Sequence, residues 1–244
     1  MAGQIVDASL VPAPKQRHAE AESEPVNTTG SRERANAIKD GKTAKEFWPD
    51  EPNKAAQKDT NARWTLKIGG KVRCRPDGTP LPMILVPVFG YKSHISIDRR
   101  YGYIRESAAS AADGRQLRRL VSRENTGSEV WADSAYRSQR NETWLAKRLL
   151  VSRIHRRKPA GKSMPRHMAR ANARKSAIRA AVEHVFAHQK TRFGVRQCLS
   201  DHWRSLGSLI RTIGLARAEA KLTLANIAYN FERPIFHERR HAMA

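Results

Sequence analysis

The order in which hydrophobic periods follow one another constrains this chain most. Period-two runs come first, helices and single short strands alternate through the middle, and a long helical pattern closes the sequence. Such an order requires an α/β fold built on a mixed sheet flanked by helices. The run Ile5–Val11 reads as a first strand, ended by Pro12 and Pro14. Further strands are expected at Trp64–Ile68, Val86–Asp98, Ile104–Ser110, Glu129–Ala132 and Val151–His155, with turns at Gly69-Gly70, Pro76-Asp77-Gly78 and Arg99–Gly102. Helical spacing covers Gly114–Arg123. Ser138 is placed to cap a helix running to Leu150 with Trp144, Leu145 and Leu149 inward. The longest helix is expected over Ala171–Phe193, and a last one over Leu209–Phe231, stopped by Pro234.

Between the first strand and the rest of the sheet, residues 15–61 are polar and read as a loosely ordered insertion. Charge is just as unevenly spread. The chain carries 46 Lys and Arg against 23 Asp and Glu, a balance that favours polyanions through counterion release. Residues 137–196 hold seventeen basic side chains and only two acids, Glu142 and Glu183. Two cysteines at no metal spacing argue against a disulfide scaffold or a zinc site. No apolar run approaches the roughly 18 residues of a membrane span, and the expected setting is cytoplasmic. His237-Glu238-Arg239-Arg240-His241 fits the H-E-x-x-H pattern, but with two arginines in its middle and Pro234 ahead it is set aside as a zinc site. Charge alone leaves a nucleic-acid enzyme and a generic RNA-binding protein both open.

Three acids separate those readings. Asp7 stands mid-strand among Ile5, Val6, Leu10 and Val11, where aspartate is disfavoured. Asp133 closes the apolar run Glu129–Ala132, at the carboxyl edge where α/β folds place their sites. Glu183 shares a polar helical stripe with Ser176, Arg179 and Lys190, beside the apolar side formed by Ile178, Val182, Val185 and Phe186. Taken singly, Asp133 is also a common turn residue, and Arg179–Glu183 an ordinary surface pair at i, i+4. Together, three carboxylates offer the oxygen ligands that Mg²⁺ or Mn²⁺ prefers.

At these residues the chain resembles bacterial insertion-sequence transposases of the DDE class, particularly the insertion-sequence-five group. Ile5–Val11 is similar to the family's first-Asp strand, Gly90–Asp98 to the hairpin segment after it, and Trp131-Ala132-Asp133-Ser134-Ala135-Tyr136 to the second-Asp motif. Arg179, Glu183 and Lys190 resemble the Arg, Glu and Lys of its helix motif. The resemblance implies an RNase H-like core over residues 1–14 and 62–194 and a C-terminal helix and tail over 209–244. It also implies catalysis by Asp7, Asp133 and Glu183 with two divalent ions, and DNA strand cleavage and joining by a homo-oligomer on DNA. Arg179 and Lys190, with Tyr136, Arg137, Arg156 and Arg157, are the expected DNA contacts. Departures are Ser176 in place of a tyrosine, Ala108 and Ala112 in place of an Asp and a His, and residues 195–208, which read as an insertion. Six residues precede Asp7, where the family carries a helical N-terminal domain. The resemblance therefore implies either the second frame of a split element, completed by an upstream subunit, or a decayed, catalytically silent remnant.

Overall fold

The computed structural model describes residues 3–13, 49–59, 61–69, 84–110, 116–122, 129–192 and 213–243. Among these residues six strands form one sheet: β1 (Gln4–Pro12), β2 (Arg63–Gly69), β3 (Ile84–Asp98), β4 (Ile104–Ser110), β5 (Glu129–Ala132) and β6 (Val151–Ser152). Their order is β2-β3-β1-β5-β6, with β4 also paired to β3. β1 lies inside the sheet, antiparallel to β3 from Gln4↔Asp98 to Pro12↔Gly90 and parallel to β5 from Gln4↔Val130 to Val6↔Ala132. This pairing on both sides explains why Ile5 and Val6 are wholly buried. The mixed sheet with helices on both faces is the RNase H-like α/β arrangement.

Among the described residues the helices are α1 (Pro52–Gln57), α2 (Leu117–Leu120), α3 (Gln139–Lys147), α4 (Arg166–Arg179), α5 (Ala181–Arg192) and α6 (Leu215–Ala242). Alternation along the strands sends side chains to two cores. Val6, Val130 and Ala132 pack with Leu117, Leu120, Tyr136 and Leu145 beneath α2 and α3. Ile5, Ile95, Ile97 and Trp131 pack with Val182, Val185 and Phe186 of α5 and Tyr229 of α6. Farther along, Val11, Phe89 and Tyr91 meet Ala218, Leu222 and Ala225 of α6. None of the described helices is long and apolar enough to cross a membrane.

Several elements differ from expectation. Residues 171–193 are not one helix: α4 begins at Arg166, and the chain breaks at Ala180 before α5. There Ala180 N–H bonds Ser176 O, and Glu183 N–H reaches only three residues back to Ala180 O. Burial accounts for the break, because α4 buries no residue while α5 buries Val182, Val185 and Phe186. Pro234 does not end the last helix, which runs through it to Ala242. The lost N–H is offset by anchoring on both sides of the proline: Arg233 Nε donates to Tyr101 O at 3.1 Å, and His237 Nε2 lies 2.9 Å from the same oxygen. Leu149 is not inward. It adopts a left-handed conformation (φ 56°) and is 88% exposed, because α3 ends with Leu150 N–H folding back to Leu145 O. Leu150 packs on the core instead. Of the Val151–His155 strand only Val151–Ser152 is regular, although Arg153 and His155 still donate to Val130 O and Ala132 O. The expected insertion over 195–208, and most of that over 15–61, lie outside the described residues.

Asp59 joins three of these elements. Its Oδ1 accepts from Asn61 N (2.9 Å) and Ala62 N (3.0 Å), and its Oδ2 from the Tyr91 hydroxyl and from Gly214 N (3.2 Å). Tyr91 is fully buried, so loss of the carboxylate leaves a dry hydroxyl without its partner. Asp59→Ala is expected to lower unfolding free energy by about 3 kcal/mol, read from urea denaturation. A loss below about 0.5 kcal/mol, the level of an ordinary surface change, would contradict the role of Asp59 as a junction.

Candidate active site

Side-chain alternation puts the acids on one face. Ile5 and Trp131 are register partners on β1 and β5 and share the core under α5. Asp7 and Asp133 each follow two residues later, on the same side as those partners. Asp7 is 6% exposed, with Oδ1 accepting from Ala8 N at 2.8 Å. Asp133 directly follows β5 and caps the short 3₁₀ turn Ser134–Tyr136 by accepting from Ala135 N. Glu183 stands in the first turn of α5 next to Val182, whose burial in that core fixes the helix against β1. Glu183 itself is exposed at the rim.

Electrostatics tie the three together. Burial pushes the Asp7 carboxyl up from 3.8 to about 6; Arg179 and the Ala8 N–H pull it down, and the charges of Glu183 and Asp133 push it up again. The fields of both other acids therefore reach Asp7. Arg179 does not pair with Glu183: its Nη1 donates to Asp7 Oδ2 from the last turn of α4. The site has thus recruited a cation beside its most buried carboxylate. Among the described residues, no three of His, Cys, Asp and Glu are gathered closely enough to hold a metal ion in this arrangement.

The other expected contacts divide. Tyr136 is a correction: it is 1% exposed, with its hydroxyl 2.8 Å from His94 Nδ1, and His94 Nε2 lies 2.7 Å from Ser110 Oγ. Buried on that network, the ring packs under the turn and cannot face DNA. Asn141 Nδ2 donates to Tyr136 O at 2.8 Å and braces the same turn. Arg137 is partly buried, donating to Ile154 O at 3.2 Å beside Glu142, while Arg156 and Arg157 are exposed. Lys190 is half-buried, about two turns beyond Glu183 along α5.

Sequence reasoning missed His155 and Lys175. His155 follows the β5–β6 pairing next to Asp133. Burial lowers its basicity, as do Arg179 and Lys175, against the opposing pull of Asp133. His155 Nε2 and Arg179 Nε are buried without a hydrogen-bond partner among the described residues. Neither a histidine in a basic loop nor one lysine among many gave a periodic signal to find them by.

A family model described as a transposase DDE domain matches residues 87–231, more than half of the chain. The match includes Asp133 and Glu183 and begins after Asp7. Comparison with curated proteins and with solved structures gives no match.

Proposed function

Because the chain belongs to the DDE transposase domain family, a family of DNA-transposition domains, we propose that it cuts and joins DNA strands at insertion-sequence ends, with Asp7, Asp133 and Glu183 as its catalytic carboxylates. One observation carries this reading: Asp133, just past the strand parallel to β1, and Glu183, on the helix packed against β1, both act electrostatically on the buried Asp7 of β1. In cleavage, a water oxygen forms a new bond to phosphorus as the strand's oxygen leaves with the electron pair. In joining, a freed 3′-hydroxyl attacks a target phosphodiester, so one P–O bond forms as another breaks.

The residues present fit divalent metal in type. All three are hard oxygen donors, and the most buried already draws a guanidinium to one of its oxygens. Asp7 and Asp133 would hold the ions with Glu183 from the helix side, once Arg179 releases Asp7 Oδ2. A pair of Mg²⁺ or Mn²⁺ ions, when bound, would stabilise charge on the entering and leaving oxygens. Asp133 is fixed by its own turn, and Tyr136 holds that turn in the core. Arg179, once released, and Lys190 would take strand phosphates.

Supercoiled plasmid is the simplest probe. The wild-type chain is expected to nick it in Mn²⁺ and not in EDTA, and Asp133→Asn and Glu183→Gln are each expected to lower the rate by about 10²–10³-fold. Nicking that persists equally in both variants would reject the assignment.

A further inference from the structure

An open cavity of about 360 Å³ lies between the start of α3, the chain after β6 and the first turn of α4, lined among others by Arg137, Ser138, Glu142, Arg156, Arg157 and Met168. Its charge is one-sided. Three arginines line it against a single carboxylate, Glu142, which accepts from Ser152 Oγ at 3.0 Å and pairs with Arg137 at 3.5 Å. Just behind, Lys175 Nζ and Arg137 Nη1 both donate to Ile154 O. Burial lowers the basicity of Lys175, and so do the charges of Arg137, Arg156 and Arg153. Cations that crowd closely enough to weaken one another gain by sharing an anion.

The cavity is also built to hold its shape. Asn172 clamps the backbone of Arg156 from both sides, accepting from its N–H (3.0 Å) and donating to its carbonyl (2.9 Å). The Arg156 guanidinium has no partner among the described residues. Arg157 Nε donates to Ser134 O at 2.9 Å and its Nη2 to Ala135 O at 3.4 Å, so the guanidinium rests on the two residues after Asp133. Ser138 caps α3 at the cavity wall, and Met168 lies in the first turn of α4, so the positive ends of two helices open here.

We infer that this cavity seats the phosphodiester backbone of the DNA strand as it leaves the Asp133 turn. The inference rests on the DNA-strand chemistry proposed above. Arg156 supplies the free guanidinium, Arg157 the one indexed to the catalytic turn, and Arg137 the inner charge, held in place by Glu142.

Fluorescence anisotropy with a labelled DNA duplex of mixed sequence, titrated against salt, tests it. A side chain that neutralises one phosphate contributes about one to the slope of log Kd on log salt. Arg156→Gln is expected to lower the slope by about one and the Arg156→Gln/Arg157→Gln pair by about two, with unchanged thermal melting. Arg156→Lys/Arg157→Lys is expected to keep the wild-type slope. An unchanged slope in both glutamine variants, with firm wild-type binding and carboxylate-dependent nicking, would overturn the cavity and leave the transposase reading intact. An equal drop in the lysine pair would also overturn it, because shape rather than charge would then be responsible. No salt-dependent DNA binding by the wild type would overturn both.

Discussion

Asp7→Asn is expected to cut metal-dependent strand cleavage by about a thousandfold, roughly 4 kcal/mol of barrier, while leaving the protein at least as stable near neutral pH. The two halves of this result share one cause. Asp7 is buried, and its folded-state carboxyl titrates at about 6 against an ordinary 3.8. Between those values the folded chain binds more protons than the unfolded one, so stability falls as pH rises through this window. The difference corresponds to about 3 kcal/mol, fully expressed above pH 6. Asparagine keeps an acceptor for Ala8 N–H and removes the buried charge, and unpairing Arg179 offsets part of the gain. Thermal melting between pH 4 and 7 should therefore show a wild-type decline that is absent in the variant. Mg²⁺ should raise the wild-type Tm above pH 6, by an amount set by RT ln(1 + [Mg²⁺]/Kd), and should not raise that of Asp7→Asn. Wild-type cleavage by the variant, or an identical pH profile, would remove Asp7 from the site.

The largest stability effect is expected at a residue with no side chain. A Cβ on Gly90 would collide with Val11 O and lie 2.9 Å from Pro12 Cα and 3.0 Å from Ala13 N. All three are backbone atoms at the end of β1, which cannot rotate aside as a side chain would. Gly90→Ala must therefore push β1 away from β3 along the Pro12↔Gly90 end of their ladder. The expected cost is about 3 kcal/mol or more, the upper end of overpacking effects, read as a lower urea midpoint. Because β1 also carries Asp7, cleavage should fall with it. A midpoint within error of wild type would mean that the β1–β3 contact is looser than this geometry requires.

Much of this architecture was legible in the sequence because it is governed by short-range pattern. Short apolar runs located β1 and β5, alternation located β3, and the serine at 138 announced the start of α3. The same alternation places Asp7 and Asp133 on the face that α5 covers. What was not legible depends on tertiary contact. Alanine is the best helix former, so nothing local marks Ala180 as a break; only the unequal burial of α4 and α5 does. Pro234 should end a helix by local rules, yet Arg233 and His237 fasten α6 to Tyr101 and carry it on. Tyr136 is equally suited to DNA or to packing by its neighbours in sequence, and only His94, 42 residues earlier, decides the matter by holding its hydroxyl. The Arg179–Asp7 pair spans 172 residues, and the i, i+4 spacing pointed to Glu183 instead.

The joint at Ala180 divides two opposite charges between unequal neighbours. Glu183 belongs to a helix rooted in the core by Val182, Val185 and Phe186, whereas Arg179 ends a helix that reaches that core only through the partly buried Ile178. A turn of the Arg179 side chain alone would withdraw the guanidinium from Asp7 while the glutamate kept its station. The buried acid thus arrives with a counter-ion of its own, which an incoming cation would have to displace.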